Sequence, residues 1–220
     1  EIRYAALLHD FGKVGVRDAV LVKANKLFPE QLTTLQQRFQ LAREYYHRQN
    51  LERRLAAYRD HPQSAKEEEL LLQGELFKQL KELDGAWEFV GQCNRPTVLP
   101  SGGFERLRTL SALNFEDAHG SVLPLLTDEE LDALSIPRGS LTQAERLEIQ
   151  SHVTHTFRFL SQIPWSSRLS QVPQIAHAHH ETLDGRGYPH GVGGIQIPVQ
   201  SKMMAIADIY DALTASDRPY

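Results

Sequence analysis

The sequence has little that would suit a secreted or membrane-spanning protein. Cys93 is its only cysteine among 220 residues, so no disulfide can form within the chain. No apolar run approaches the ~20 residues that a membrane helix needs, and no stretch reads as a secretory signal. A single free cysteine fits a reducing compartment. We therefore expect a cytoplasmic location and no membrane contact in this segment.

The sequence also lacks an excess of positive charge. It has 24 lysines and arginines against 28 acidic residues, which gives a net charge of −4. A negative chain has no general attraction to DNA or to acidic membranes, so DNA is not an expected partner. A substrate that carries phosphate would have to be bound by local positive charge or by metal ions.

Patterns typical of strands are scarce, and helical periodicity dominates the chain. Apolar residues recur every three or four positions over 29–59 and again over 65–91. Pro29 suits the first position of a helix. We therefore expect an all-α fold, and the remaining helices are predicted over 127–134, 140–163, 171–182 and 200–216.

The two long helices are separated only by the polar stretch DHPQS, residues 60–64. So short a break between long helices favours an antiparallel hairpin. One interpretation is an amphipathic pair that packs on the main body and exposes its polar face to solvent. The other is a coiled coil through which two copies of the chain form a homodimer.

Side chains of the kind that bind metals fall into separate clusters within apolar surroundings. An aspartate beside an apolar helix is costly to bury unless it is paired or binds a cation. Imidazole with carboxylate suits Fe, Mn or Zn, and paired ions can clamp a phosphoryl group and activate water. A carboxylate such as that of Asp10 can bridge two ions. The clusters are His9 with Asp10, His152 with His155 one turn later, His179 and His180 before Glu181, and Asp208 with Asp211.

Four stretches together resemble the HD-GYP family, bacterial phosphodiesterases of the HD superfamily that hydrolyse cyclic di-GMP. They are HDFGKVGV (9–16), HHETLDGRGYP (179–189), GGIQIP (193–198) and IADIYDALTASDRPY (206–220). The resemblance implies an HD-superfamily helical bundle and two or three divalent transition metal ions. It also implies hydrolysis of cyclic di-GMP to pGpG or GMP by attack of metal-bound hydroxide.

By position, the resemblance assigns a role to each matching residue. Asp10 would bridge the ions, and Lys13 would assist phosphate binding or protonate the leaving group. Asp211 and Arg218 would handle protons and contact phosphate. Gly187 and Tyr188 of the GYP motif would meet the substrate, as would Lys202, which stands where the family has an arginine. The implied metal ligands are His9, Asp10, His152, His179, His180 and Asp208.

The resemblance covers the two ends of the chain. It implies a phosphohydrolase core of residues 1–27 and 139–220 with an inserted helical hairpin between them, residues 28–138. Further ligands of the family would lie on a helix before Glu1, so we expect a truncated first helix and a sensor domain upstream. Two alternatives stay open: a regulatory module that senses nucleotide or binds a partner, and a hydrolase for a hybrid cyclic dinucleotide.

Overall fold

The computed structural model describes residues 1–214, which form nine α-helices and one small sheet. This confirms the predicted all-α class. Within these residues no helix has both the length and the apolarity that a membrane span requires. The elements in chain order are α1 (Ile2–Leu8), α2 (Asp18–Leu21), α3 (Pro29–Asp60), α4 (Ala65–Cys93), α5 (Gly103–Ser111), β1 (Asn114–Glu116), β2 (Val122–Pro124), α6 (Asp128–Leu134), α7 (Gln143–Leu160), α8 (Val172–His177) and α9 (Val199–Thr214), with short 3-10 helices at Phe11–Gly15, Ser167–Leu169 and Gly194–Gln196.

The chain divides into two compact units. Residues 1–22 and 143–220 form the first, which we call the HD unit because it contains the His9–Asp10 pair. Residues 23–142 form the second, which we call the hairpin unit after its two long helices. All of the predicted metal ligands lie in the HD unit.

The HD unit is built around a small apolar core shared by four helices. Ala5 of α1, Leu160 of α7, Ile175 of α8 and Met204 of α9 all belong to it and are buried. Each helix contributes one apolar face, which is the pattern that a 3.6-residue repeat produces. The core therefore fixes the ends of α1 and α8 near the middle of α7, and these ends carry the histidines.

The His9–Asp10 pair is attached to α7 by an unusually close backbone approach. The Gly12 amide donates to the Thr156 hydroxyl at 2.8 Å, and this hydroxyl donates to the His9 carbonyl at 2.9 Å. A Cβ on Gly12 would lie 1.9 Å from the His152 carbonyl oxygen. Phe11 stacks on Phe159 at 4.1 Å beside this contact. Glycine is therefore required here by space, because no side chain fits against α7.

The hairpin unit consists mainly of α3 and α4, joined by a short turn as the sequence predicted. Its core contains Leu35 and Phe39 of α3 with Phe89 and Val90 of α4, and Cys93 is buried beside them. Lys26 is fully buried and donates from Nζ to the carbonyls of Leu134 and Ile136 at 3.0 and 2.6 Å. These bonds satisfy the ammonium group where water cannot reach it.

Several features were absent from the sequence prediction, including the helices α2 and α5. One is the antiparallel hairpin of β1 and β2, in which Phe115 pairs with Leu123. Its turn is held by Asp117, whose carboxylate accepts from the backbone amides of His119 and Ser121. Strands of three residues are too short to give a readable alternation.

A further difference concerns α8, which was predicted to continue to residue 182 but ends at His177. A Cβ on Gly187 would lie only 2.4 Å from the Glu181 Cα and the Thr182 nitrogen. The returning GYP loop therefore packs directly against the backbone that a longer helix would have formed. The prediction that His179 and His180 are helical is wrong, and both lie in turns.

We expect Gly12→Ala to destabilise the protein by roughly 3 kcal/mol, because the added Cβ forces the 3-10 helix away from α7. Gly15→Ala is the matched control in the same 3-10 helix, since its Cβ would meet only the His155 ring at 3.4 Å. We expect that control to stay within about 1 kcal/mol of the parent. Urea unfolding followed by circular dichroism measures both, and equal losses would contradict the role given to Gly12.

Candidate metal centre

Three histidines of the HD unit are held in the same way. Nδ1 of His9 lies 2.8 Å from the Ala6 carbonyl, that of His152 lies 2.5 Å from the Ile149 carbonyl, and that of His179 lies 2.6 Å from the Ala176 carbonyl. A carbonyl only accepts, so each Nδ1 carries the proton and donates it. When such a ring is neutral, its Nε2 carries a lone pair on the other side, as in metal-binding histidines.

These lone pairs converge on one region. The ligand atoms of His9, Asp10 and His179 lie within 4.8 Å of one another, and so do those of His152, His179 and His180. His179 belongs to both groups, so the two candidate ion positions are adjacent. His9 and Asp10 follow the end of α1, His152 lies on α7, and His179 and His180 lie in the turn after α8.

Asp10 lies between the two groups. Its Oδ2 is 3.3 Å from Nε2 of His9, and its Oδ1 is 3.3 Å from Nε2 of His152. Lys13 donates from Nζ to Oδ2 at 2.7 Å. Burial alone would raise the pKa of Asp10, but the interactions with His9 and Lys13 outweigh it and hold this pKa well below its usual range. The carboxylate is therefore ionised, with one oxygen directed toward each group.

The imidazoles of His152, His179 and His180 are neutral at physiological pH. Burial lowers the pKa of His179 to about 4 and that of His180 to about 3. Burial likewise lowers the pKa of His152. The pKa of His9 is instead raised, chiefly by its interaction with Asp10. Neutral rings can bind a metal without first losing a proton.

The donor set fits divalent transition ions. Buried polar atoms are almost always partnered, yet Nε2 of His9, His152 and His179 and Oδ1 of Asp10 are buried without a hydrogen bond. Lone pairs of imidazole and carboxylate that face one another repel unless a cation lies between them. Imidazole with carboxylate is a donor set for Fe, Mn or Zn. The described residues thus contain clusters able to hold metal.

The GYP loop forms one wall of the centre. Tyr188 stacks on His180, with ring centroids 4.7 Å apart, and its amide donates to the His180 carbonyl at 3.2 Å. Burial, followed by the charges of Asp10 and Asp208, raises the pKa of Tyr188 well above its usual value. Its hydroxyl therefore stays protonated at neutral pH. Gly187 allows this approach because it lies against the backbone of Glu181.

Glu181 anchors the loop and was given no role by the sequence. It is buried, and its two oxygens accept from the backbone amides of His190 at 2.7 Å and Val192 at 2.9 Å. These charge-assisted bonds close the loop over residues 182–192. Glu181 could have been suspected from its place beside two histidines, but its backbone partners are set only by the fold.

The helix α9 brings Asp208 and Asp211 to the other side of His9. These two acids and His9 line a cavity of about 240 Å³ together with Ala6 and Met204. The charge of Asp208 is felt at His9 and at Tyr188. Within residues 1–214, however, its oxygens do not join either ligand group. Asp208 is thus near the centre but not within the same coordination distance.

The remaining predicted residues lie elsewhere. Lys202 is in the first turns of α9, and its side chain is not among those that line this cavity. Arg218 lies outside the described residues. His155 is directed toward Gly15 and belongs to neither ligand group found in residues 1–214. Thr156 was missed by the sequence analysis, although it follows His152 by one turn of α7 and bridges that helix to His9.

Comparison with known proteins agrees with this geometry. A family model described as an HD domain matches residues 128–220. Over these residues the chain is similar to HD domains. Together with the named relatives below, this confirms the resemblance to HD-GYP proteins that the motifs indicated.

Part of this chain is similar to several curated proteins. The 3'3'-cGAMP-specific phosphodiesterase 3 of Vibrio cholerae is 42% identical over 82 residues, 37% of this chain and 17% of that protein. The cyclic di-GMP phosphodiesterase response regulator RpfG of Xanthomonas campestris is 38% identical over 90 residues, 40% of this chain and 23% of that protein. The cyclic di-GMP phosphodiesterase of Thermotoga maritima is 39% identical over 89 residues, which are 40% of this chain and 24% of that protein. The matches thus span less than a quarter of each relative's length.

We expect Glu181→Gln to loosen the GYP loop while the rest of the HD unit stays folded. The amide group of glutamine cannot accept from both backbone donors, so one charge-assisted bond is lost. Hydrogen exchange at the amides of His190 and Val192 should accelerate by roughly tenfold or more. Glu148→Gln, which affects only the surface pair with Arg17, is the control and should leave these amides unchanged. Unchanged exchange in Glu181→Gln would rule out the anchoring role.

Proposed function

We propose that this chain is a metal-dependent phosphodiesterase that hydrolyses cyclic di-GMP to linear pGpG, or to GMP after a second cleavage. The observation that carries the proposal is the set of buried, unpartnered ligand atoms on His9, Asp10, His152 and His179. The substrate class is supported by relatives that are named cyclic di-GMP phosphodiesterases.

The proposed cofactors are two or three divalent ions, Fe or Mn in the first place and Zn as the alternative. The two overlapping ligand groups support two positions, with the carboxylate of Asp10 between them. Asp208 is the proposed further ligand on the side of His9. Bound ions of this kind act as Lewis acids toward phosphate and lower the pKa of water toward ~7.

The chain's own groups would orient the substrate and handle protons. Lys13 keeps its ammonium group at the edge of the centre through the 2.7 Å bond to Asp10, where Nζ can donate a proton to the departing ribose oxygen. Asp211 is the proposed proton acceptor on the cavity wall. The protonated hydroxyl of Tyr188 can donate a hydrogen bond to the nucleotide. Substrate contacts by Gly187, Lys202 and Arg218 remain predictions.

A hybrid cyclic dinucleotide is the second candidate substrate. It is favoured by the Vibrio cholerae relatives of 42% and 44% identity, both named as specific for 3'3'-cGAMP. The two candidates differ in one base. In either case the proposed metal centre would act on phosphate and not on a base. Residues around the bases would therefore decide whether cyclic di-GMP or the hybrid nucleotide is hydrolysed faster. Assays with both nucleotides distinguish the two candidate substrates.

The proposal extends to assembly and location. Leu51, Leu55 and Tyr58 follow one another at intervals of four and three residues along α3, and all three are exposed. Leu70 and Phe77 are exposed seven residues apart on α4. Such a surface suits packing of two hairpins as a homodimer. An upstream sensor domain and a cytoplasmic location, which the single cysteine favours, also remain predictions.

We expect Asp10→Ala to lose bound metal and hydrolysis together, because it removes the carboxylate whose two oxygens lie 3.3 Å from Nε2 of His9 and from Nε2 of His152. The loss of activity should exceed the ~10–100-fold that follows loss of an outer-shell partner. Elemental analysis of anaerobically prepared protein gives the metal content, and chromatography of cyclic di-GMP digests gives the rate. Asp18→Ala, an exposed acid of the same unit, is the control.

Each outcome of this experiment is informative. Retained hydrolysis with metal still bound to Asp10→Ala would remove the proposed centre. A parent protein that loads metal but cleaves neither cyclic di-GMP nor 3'3'-cGAMP would favour the regulatory alternative. Cleavage of the hybrid nucleotide alone would leave the chemistry in place and change only the substrate.

For the homodimer, we expect the double variant Leu55→Glu and Phe77→Glu to shift the protein toward monomer by at least tenfold in Kd, since charges would be buried in the interface. Light scattering after size-exclusion chromatography gives the mass. Leu71→Glu is the control, because Leu71 is equally exposed on α4 but lies about 120° around the helix from Phe77. A monomeric parent at high concentration would contradict this part of the proposal.

A further inference from the structure

The two long helices of the hairpin unit are not packed uniformly along their length. Their inner segments, 31–43 of α3 and 83–93 of α4, contribute to an apolar core that also contains residues of α5, β1 and α6. Residues 50–60 of α3 and 65–76 of α4, which we call the outer half, contribute to neither apolar core found within residues 1–214. The outer half is therefore held mainly by contacts between its own two helices.

The seam of the outer half, where its two helices face each other, buries little apolar surface. The buried residues of this half are Asn50 and Ala57 of α3 with Ala65 and Leu72 of α4. Larger apolar side chains of the same segments point outward and are more than half exposed, namely Leu51, Leu55, Leu70 and Leu71. Hydrophobic stabilisation grows with the apolar area that is removed from water. One leucine and two alanines therefore contribute little to holding the helices together.

A polar network occupies the rest of the seam. Arg54 and Glu69 form an ion pair whose side chains are 29% and 22% exposed, and the Tyr58 hydroxyl donates to the same carboxylate at 2.6 Å. Among the residues that the structure describes, Nε of Arg54 is buried without a hydrogen bond. Asn50 donates from its side-chain amide to the Leu72 carbonyl at 2.7 Å. Such groups fix which residues face each other, while the cost of burying them offsets much of their attraction.

From this difference we infer that the outer half is a separate cooperative unit, which opens while the inner segments and the rest of the chain stay folded. Segments with few buried apolar contacts open at a lower free energy than the core to which they are attached. The ion pair of Arg54 and Glu69 holds the closed form. The inference concerns the hairpin unit alone and depends neither on the metal centre nor on the proposed function.

Opening of the outer half would also disrupt the surface formed by its exposed leucines. Any partner that binds this surface only in the closed form would suppress opening by mass action. The outer half is thus a two-state element, and binding at its leucines would bias it toward the closed form.

Hydrogen exchange of the 220-residue protein, read by mass spectrometry in dilute solution, tests the inference. After correction for intrinsic rates, the amides of 50–60 and 65–76 should exchange at least ~100-fold faster than those of 31–43 and 83–93. The two outer segments should open equally often, to within ~3-fold, because they open together. Equal protection of outer and inner segments, or outer amides that exchange only on global unfolding, would overturn the inference.

Glu69→Leu tests the part played by the ion pair. Arg54 then keeps a partly buried charge without its partner, so the outer amides should exchange ~10-fold faster than in the parent while the inner segments are unchanged. Glu75→Leu is the matched control on the same helix, because the pair that it breaks with Arg53 is 58% and 54% exposed. It should alter exchange by less than ~3-fold. Equal effects of the two substitutions would contradict the role given to the Arg54–Glu69 pair.

A double variant, Arg54→Leu with Glu69→Leu, replaces the whole pair by apolar side chains. Apolar replacement of a buried pair is often neutral or stabilising, so the outer amides should exchange ~10-fold more slowly than in Glu69→Leu alone. Protection of the inner segments shows that each variant is folded. A folded double variant that opens as often as Glu69→Leu would contradict the role of the unpartnered charge. If a variant does not fold, the comparison of outer and inner segments in the parent decides.

Discussion

The HD unit depends on how the carboxylate of Asp10 is accommodated among imidazole nitrogens. Three of these rings give their Nδ1 proton to a carbonyl three residues earlier. The Nε2 atoms of His9 and His152 then lie 3.3 Å from the two oxygens of the carboxylate. Burying these ligand atoms without a compensating partner is unfavourable. A cation makes it favourable, because every lone pair then becomes a ligand. The clusters are therefore able to hold metal, and a bound cation would stabilise this arrangement of ligand atoms.

The rest of the unit serves to hold those rings in place. Thr156 links the His9 carbonyl to the Gly12 amide, so the chain after α1 cannot leave α7. Glu181 performs the corresponding task for the GYP loop through two backbone amides. Both residues are polar and buried, and neither is a candidate ligand. They fix backbone segments that carry ligands, which is how a site made from distant segments keeps its geometry.

The hairpin unit follows a different physical logic. Its core is apolar and its long helices are amphipathic, yet it leaves a leucine-floored cavity and an apolar stripe exposed. Leu83, Leu110 and Leu125 line the cavity and also belong to the unit's apolar core. Exposed apolar surface of this extent is more typical of surfaces that bind a ligand or another chain.

The sequence by itself determined the helical class, the long pair over 29–59 and 65–91, and the residue types of the centre. Periodicity and motif spacing are local properties, so a reader of the sequence can recover them. The end of α8 at His177, the partners of Glu181 and the distance of Asp208 from the ligand groups were decided only by tertiary structure. Gly12 and Thr156 show why, since they lie 144 positions apart and touch. Contacts of that range depend on packing of the whole unit, which no local pattern encodes.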